Sequence, residues 1–132
     1  MRVAELMETN VLTVGRDATV ADVIVTMSDA HVSSLPVVDR HGRMLGIISN
    51  TDVLNAEAES DEGGLRTLLN STTAGAIMTN RPLAVSPETT VREAAQQMLY
   101  ADVHRLYVVE HDRVVGVIST TDIVRAVATA QV

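Results

Sequence analysis

The segments Gly46-Ile47-Ile48-Ser49-Asn50-Thr51-Asp52 and Gly116-Val117-Ile118-Ser119-Thr120-Thr121-Asp122 spell one pattern twice: glycine, two apolar residues, serine, a variable position, threonine, aspartate. Each leads from a β-branched apolar stretch into a Ser-x-x-Asp sequence. That spacing is a capping box, in which the serine hydroxyl serves the third helical N–H and the carboxylate serves the serine's own N–H. The pattern therefore predicts a strand that ends at the serine and a helix that starts directly after it, at two places in the chain.

Working outward, the duplication extends in both directions. A shift of 71 superimposes Met7 on Met78, Leu12 on Leu83, Val14 on Val85, Thr19 on Thr90, Val20 on Val91, Met27 on Met98 and Ala30 on Ala101. It also brings Val32, Leu35, Val37 and Val38 onto Val103, Leu106, Val108 and Val109, and a shift of 70 aligns the quoted segments. Chance identity is roughly 6–7% per position, so the repeat is real. In the first copy Thr19 and Asp22 open a helix with apolar residues at Val20, Val23, Ile24 and Met27; Thr90 and Glu93 open its counterpart with Val91, Ala94, Ala95 and Met98. Short apolar segments, Val11 to Val14 and Leu83 to Val85, predict a strand before each helix. Hairpins follow, Leu35–Val38 with Met44–Ser49 and Leu106–Val109 with Val114–Ser119, and then helices over about Asn50–Ala58 and Thr120–Ala130.

Each copy is thus β-α-β-β-α, and the fold class is mixed α/β (α+β). Residues 1–58 form the first repeat, 59–73 a linker and 74–132 the second repeat. A unit of about 55 residues cannot readily cover both faces of three short strands, so the repeats are expected to pack around a pseudo-twofold axis. Between the copies, Glu57, Glu59, Ser60, Asp61, Glu62, Gly63 and Gly64 read as a mobile acidic loop, and Leu65, Leu68 and Leu69 as a short helix.

Composition narrows the function. Hydrophobic residues make up 46% of the 132 residues, enough for a core, and there is no cysteine to supply a disulfide, thiolate zinc site or thiol nucleophile. Residues 1–15 lack the basic start and apolar run of a signal peptide, and no stretch is apolar enough to span a membrane, so the expectation is a cytoplasmic protein with no membrane partner. The formal net charge is −7, all ten basic residues are arginine, and Tyr100 and Tyr107 are the only aromatics, which speaks against nucleic acid as a partner. His31, His41, His104 and His111 show no helical i, i+4 pair, so no metal site is proposed. No nucleophile stands beside a base, and no catalytic residue is assigned.

The Ser-x-x-Asp corners carry the remaining chemistry. Free N–H groups and the helix dipole favour an anion there. Serine and threonine hydroxyls add donors, and Asp52 and Asp122 suit a ribose diol. Capping alone explains the same residues equally well.

The order of these motifs resembles a tandem pair of cystathionine-beta-synthase (CBS) domains, the Bateman module. The resemblance rests on Ala4-Glu5-Leu6-Met7 and Gly75-Ala76-Ile77-Met78, on Ser34-Leu35-Pro36-Val37-Val38-Asp39, and on the two Gly-to-Asp segments. It implies a regulatory module that binds AMP, ADP, ATP or S-adenosylmethionine in the cleft between the repeats, without obligatory cofactor and without catalysis. Asp52 and Asp122 then match ribose-holding aspartates, and Ser49, Thr51, Ser119 and Thr121 match hydroxyls near phosphate. Val11, Leu12, Pro82 and Leu83 match segments lining the base. Val103-His104-Arg105-Leu106 looks like the stretch in the gamma subunit of AMP-activated protein kinase that brings His and Arg to phosphates, with Arg105 the phosphate anchor. Ser33 and Ser34 replace His104 and Arg105 in the first copy, so the two clefts are chemically unequal. Tyr107 stands where the first copy has Pro36 and is suited to stacking on adenine or filling its pocket. The resemblance also implies a homodimer and an effector protein whose identity the sequence does not give. The competing reading is a ligand-free interaction module of the same fold.

Overall fold

The computed structural model describes residues 1–60, 64–80 and 83–129, the Leu65 side chain excepted. Of the acidic loop predicted over Glu57–Gly64, Glu57 instead lies in the helix Asn50–Ala58 and Gly64 opens the helix Gly64–Ser71, because the capped helix runs on into the acidic stretch. Asp61–Gly63, the base-lining Pro82 and the end of the last helix at Ala130 lie outside the described residues. A 3-10 turn at Val3–Glu5 is followed by β1 (Val14–Gly15), α1 (Val20–Ala30), β2 (Ser34–Val38), β3 (Met44–Ser49), α2 (Asn50–Ala58), α3 (Gly64–Ser71) and α4 (Ala74–Ile77). The second series is β4 (Ala84–Val85), α5 (Val91–Ala101), β5 (Arg105–Glu110), β6 (Arg113–Ser119) and α6 (Thr120–Ala128). The mixed α/β class and the β-α-β-β-α order of each repeat are as the sequence predicts. The 3-10 turn and α4 are additions; both are too short to leave a periodic apolar signal.

There are two three-stranded sheets, β1-β2-β3 and β4-β5-β6, each with a parallel and an antiparallel pairing. The strands predicted over Val11–Val14 and Leu83–Val85 are shorter than expected. Only Val14 and Gly15 find partners, in Val37 and Val38, and only Ala84 and Val85, in Tyr107 and Val108. Leu12 and Leu83 have no ladder partner and stay exposed. The hairpin pairings skip one residue in each sheet, Leu45 in β3 and Val115 in β6, directly before Gly46 and Gly116. The change of shift from 71 to 70 arises in the hairpin loop, where Val38 pairs with Met44 but Val109 with Val114.

Both first helices start where the threonines predict, with Asp22 N donating to Thr19 Oγ1 at 3.2 Å and Glu93 N to Thr90 Oγ1 at 3.1 Å. Each ends in a left-handed residue, His31 or Asp102. Val20, Val23 and Met27 of α1 are buried, whereas Ile24, predicted on the same stripe, sits at the exposed edge.

Packing divides the chain differently from the repetition. One compact unit is Met1–Val11 with Leu83–Val132, and the other is Leu12–Pro82. The opening of each repeat therefore completes the core built by the other repeat's sheet and helices. In the first unit Val3 joins Val85, Ala94, Met98, Leu106, Val108 and Ile118. In the second Ala74 joins Val14, Val23, Met27, Leu35, Val37 and Ile48. The two sets correspond position by position, and the volumes trade: valine at 3 accompanies alanine at 94, alanine at 74 accompanies valine at 23. Close packing makes such an exchange necessary, since a core filled to crystal density has no room for two large residues or slack for two small ones.

Backbone pairing fastens each opening segment to its sheet. Glu8 and Val117 exchange two N–H···O bonds of 2.9 Å, and Thr79 and Ile47 exchange bonds of 2.8 and 3.0 Å. These bridges explain the glycines of the repeated motif. A Cβ at Gly46 would collide with the Thr79 carbonyl oxygen and lie 2.9 Å from Met78 Sδ; one at Gly116 would lie 2.6 Å from Met7 Sδ and 3.0 Å from the Glu8 carbonyl oxygen. Absence of a side chain is what lets the crossing backbone approach.

Candidate functional site

Each Gly-to-Asp segment folds into a strand-to-helix corner. Ser49 and Ser119 are extended N-caps, and both capping boxes are reciprocal. Asp52 N donates to Ser49 Oγ at 3.3 Å while Ser49 N donates to Asp52 Oδ2 at 2.8 Å; Asp122 N donates to Ser119 Oγ at 3.2 Å while Ser119 N donates to Asp122 Oδ2 at 2.9 Å. The capping expectation is therefore met in full, and it fixes the direction in which each carboxylate is held.

Capping does not use every group at these corners. At the head of α2, Asn50 N donates to the Ser33 carbonyl at 3.0 Å; at the head of α6, Thr120 N donates to the His104 carbonyl at 2.9 Å. With the third helical N–H on the serine hydroxyl, the Thr51 and Thr121 N–H groups take no acceptor among the described residues. Those two N–H groups, at the positive helix ends, remain able to receive an anion.

Arg105 pairs directly with Ser119 across β5 and β6, so both side chains leave the same face of the sheet. It is exposed and forms no ion pair with any described residue. The equivalent pairing in the other unit is Ser34 with Ser49, which carries no positive charge. The predicted chemical inequality of the two copies is thus present at the same register position in both sheets.

His104 takes a different place from Arg105. With Ala95, Met98, Leu99, Asp102, Val103, Thr120, Ile123 and Val124 it lines a pocket of about 350 Å³ between α5 and α6. Thr120, Ile123 and Val124 lie on one helical face, and Asp122, two residues from Thr120, projects from nearly the opposite side. The structure therefore brings Arg105, Ser119, Thr121 and Asp122 to one corner and places His104 on the pocket behind it. Tyr107 is 3% exposed and pairs with Val117, as buried Pro36 pairs with Ile47. Val11 is half-buried, and Leu12 and Leu83 are exposed.

One residue at the first corner was not singled out from the sequence. Thr79 Oγ1 donates to Asp52 Oδ1 at 3.1 Å. A search for identities passes over it, because its repeat equivalent is Glu8; the signal available was its position next to the matched Met7 and Met78. Among the described residues, no group of three His, Asp or Glu is arranged to hold a metal ion. No helix among them is long and apolar enough to cross a membrane.

Comparison with known proteins agrees with this architecture. The family model for the CBS domain matches residues 3–59 and 74–129. The structure of a putative acetoin utilization protein (AcuB) from Vibrio cholerae superimposes with a TM-score of 0.85 at 27% identity, covering 99% of this chain and 93% of that one. That of CBSX2 in complex with AMP superimposes with a TM-score of 0.83 at 25% identity, covering 99% and 98%. Protein MJ1225 of Methanocaldococcus jannaschii is 27% identical over 93% of this chain, and the chain spans 41% of that relative's length. Two matched segments, two matching sheets and two capped Ser-x-x-Asp corners lead to one assignment: the chain belongs to the CBS domain family, as a tandem pair.

Proposed function

We propose that this CBS pair is a non-catalytic regulatory module that binds an adenosine-containing ligand, AMP, ADP or ATP before S-adenosylmethionine, and signals by a change of conformation or assembly. The observation that carries the reading is the corner at the head of α6. There an aspartate is oriented by its capping box, the Thr121 N–H is unclaimed by any described residue, and Arg105 stands across from Ser119 with no counter-charge among the described residues. A carboxylate suits a ribose diol, and an unpaired guanidinium suits phosphate, which it grips through two oxygens. AMP in the related CBSX2 structure supports the ligand class.

On this reading Asp122 and Asp52 hold ribose, Arg105 anchors phosphate, and Ser49, Thr51, Ser119 and Thr121 lie at the phosphate side. The module works in the cytoplasm as a homodimer and passes its state to an effector protein. Regulation requires that ligand bind the two states with different affinity.

Thermal unfolding of nucleotide-free protein with AMP, ADP, ATP or S-adenosylmethionine tests the proposal. Ligand at 100 times its Kd adds about 2.7 kcal/mol. The expected result is a rise in Tm with one of these, abolished in Asp122→Asn while the ligand-free Tm stays within a few degrees. No rise with any of them overturns the reading and leaves the interaction module. Equal loss of ligand-free stability, about 0.5–2 kcal/mol, would assign the aspartate to capping alone.

A further inference from the structure

The two aspartate corners share a backbone but not a hydrogen-bonding state. In the unit Leu12–Pro82, both carboxylate oxygens of Asp52 are engaged: Oδ2 accepts from Ser49 N at 2.8 Å and from Ser49 Oγ at 3.0 Å, and Oδ1 accepts from the Thr79 hydroxyl at 3.1 Å. Thr79 is delivered by the segment bridged to Ile47 and pressed against Gly46. In the other unit Glu8 holds the same register on Val117, also by two backbone bonds. Glutamate has no hydroxyl to donate. Asp122 Oδ2 accepts from Ser119 N at 2.9 Å, and its Oδ1 accepts from no described residue.

A diol binds a carboxylate by donating to lone pairs that are open. Of a carboxylate's roughly four acceptor sites Asp122 keeps three for the two hydroxyls, whereas Asp52, which already accepts three bonds, keeps one and takes the second hydroxyl only by giving up an internal bond, the Thr79 donor being the one that comes from outside the cap. We propose that Thr79, standing where the other unit has Glu8, makes the corners unequal in affinity: the Asp122 corner fills first, and the Asp52 corner, occupied by the protein's own hydroxyl, binds about tenfold more weakly, the worth of one hydrogen bond. The protein then passes through a half-loaded state over about a decade of ligand concentration. This inference rests on the diol role of the two aspartates proposed above.

Isothermal titration calorimetry with adenosine separates the two ideas, because this neutral nucleoside carries the diol without the phosphate that Arg105 would attract. Wild type is expected to show a tight class and a class about tenfold weaker. Asp122→Asn should remove the tight class and Asp52→Asn the weak one. Thr79→Val should bring the weak class to within about twofold of the tight one; a second site detectable only in Thr79→Val has the same meaning. Each variant is first checked by circular dichroism and thermal melting, since Asn retains the serine half of the cap. Two equal sites in wild type, a tight class lost with Asp52→Asn, or a weak class unmoved by Thr79→Val would overturn the inference while leaving the binding function standing. No heat in any form with adenosine, AMP, ADP, ATP or S-adenosylmethionine would remove the parent reading and this one together.

Discussion

Arg105 stands directly opposite Ser119 across β5 and β6, and no carboxylate among the described residues pairs with it. In a chain with 17 acidic and ten basic residues, a guanidinium left without a partner beside a helix N-terminus is suited to an external anion. Arg105→Ala should therefore weaken AMP binding about tenfold or more and leave adenosine binding within about twofold. Parallel titrations with the two ligands check this. Equal losses for both would show that Arg105 shapes the corner and does not hold phosphate.

The glycines of the repeated motif should respond to alanine unequally. At Gly116 the nearest obstacle is Met7 Sδ, the far end of a flexible side chain, while at Gly46 it is the Thr79 carbonyl. Gly116→Ala is expected to cost about 1 kcal/mol and Gly46→Ala about 3 kcal/mol, the lower and upper ends of overpacking. Chemical denaturation measures both. The reverse order would mean that the bridge at Thr79 yields more easily than Met7 repacks.

Exchange of volume between the cores gives a paired prediction. Val3→Ala should lose about 2 kcal/mol to a cavity, and Ala94→Val about 1–3 kcal/mol to crowding. Val3 and Ala94 belong to one cluster, so the double variant should be more stable than the sum of the single losses implies, by about 1 kcal/mol. Strict additivity in a double-mutant cycle would show that the two positions fill separate spaces.

The second hairpin turns on residues that fit its geometry poorly. His111 and Asp112 both adopt positive φ, 53° and 65°, as a two-residue type I′ turn requires. An Asn-Gly pair suits those angles better, so the double variant His111→Asn with Asp112→Gly should raise stability by up to about 1 kcal/mol. A lower Tm for the double variant would point to a contact of His111 or Asp112 that the turn geometry does not reveal.

The first hairpin carries an acid-sensitive contact instead. Desolvation alone would raise the Asp39 carboxyl, but N–H donation from Arg43 and His41 together with the Arg43 charge holds it below the usual carboxylate range. A folded-state pKa below the unfolded one means that the stabilisation is fully present above about pH 4, the unfolded value, and fades as pH falls through the folded value. The Tm difference between wild type and Asp39→Asn should therefore be constant from pH 7 to about 5 and shrink below about pH 4. A difference that persists unchanged to about pH 2.5 would remove the carboxylate's charge from the explanation.

Much of the fold was legible because its signals are local. Thr19, Thr90, Ser49 and Ser119 mark helix starts by a hydroxyl three residues before the N–H it serves, and the chain spells both partners of that bond together. β2, β3, β5 and β6 were readable from apolar segments that flank turn residues. The lengths of β1 and β4 were not, because a strand ends where its partner ends, and Val37–Val38 and Tyr107–Val108 lie more than twenty residues away. Of the candidate site, Arg105, Ser119 and Asp122 do meet at one corner. His104, adjacent to Arg105 in the chain, accepts from Thr120 N through its carbonyl and lines the pocket between α5 and α6.

By itself the sequence determined the duplication, from identities 70–71 residues apart, and the β-α-β-β-α order of each copy, the four helix caps and the aspartate at each corner, which depend on residues a few positions apart. Only the tertiary structure decided which sheet each opening segment joins. Val3 and Ala74 are equivalent in sequence, and each is buried in the core of the other repeat because the matching large or small neighbour, Ala94 or Val23, is there. The same crossing brings Thr79 to Asp52, 27 residues away. Its counterpart Glu8 comes to the Asp122 side without a hydroxyl, and so two nearly identical motifs acquire different hydrogen-bonding states from segments outside them.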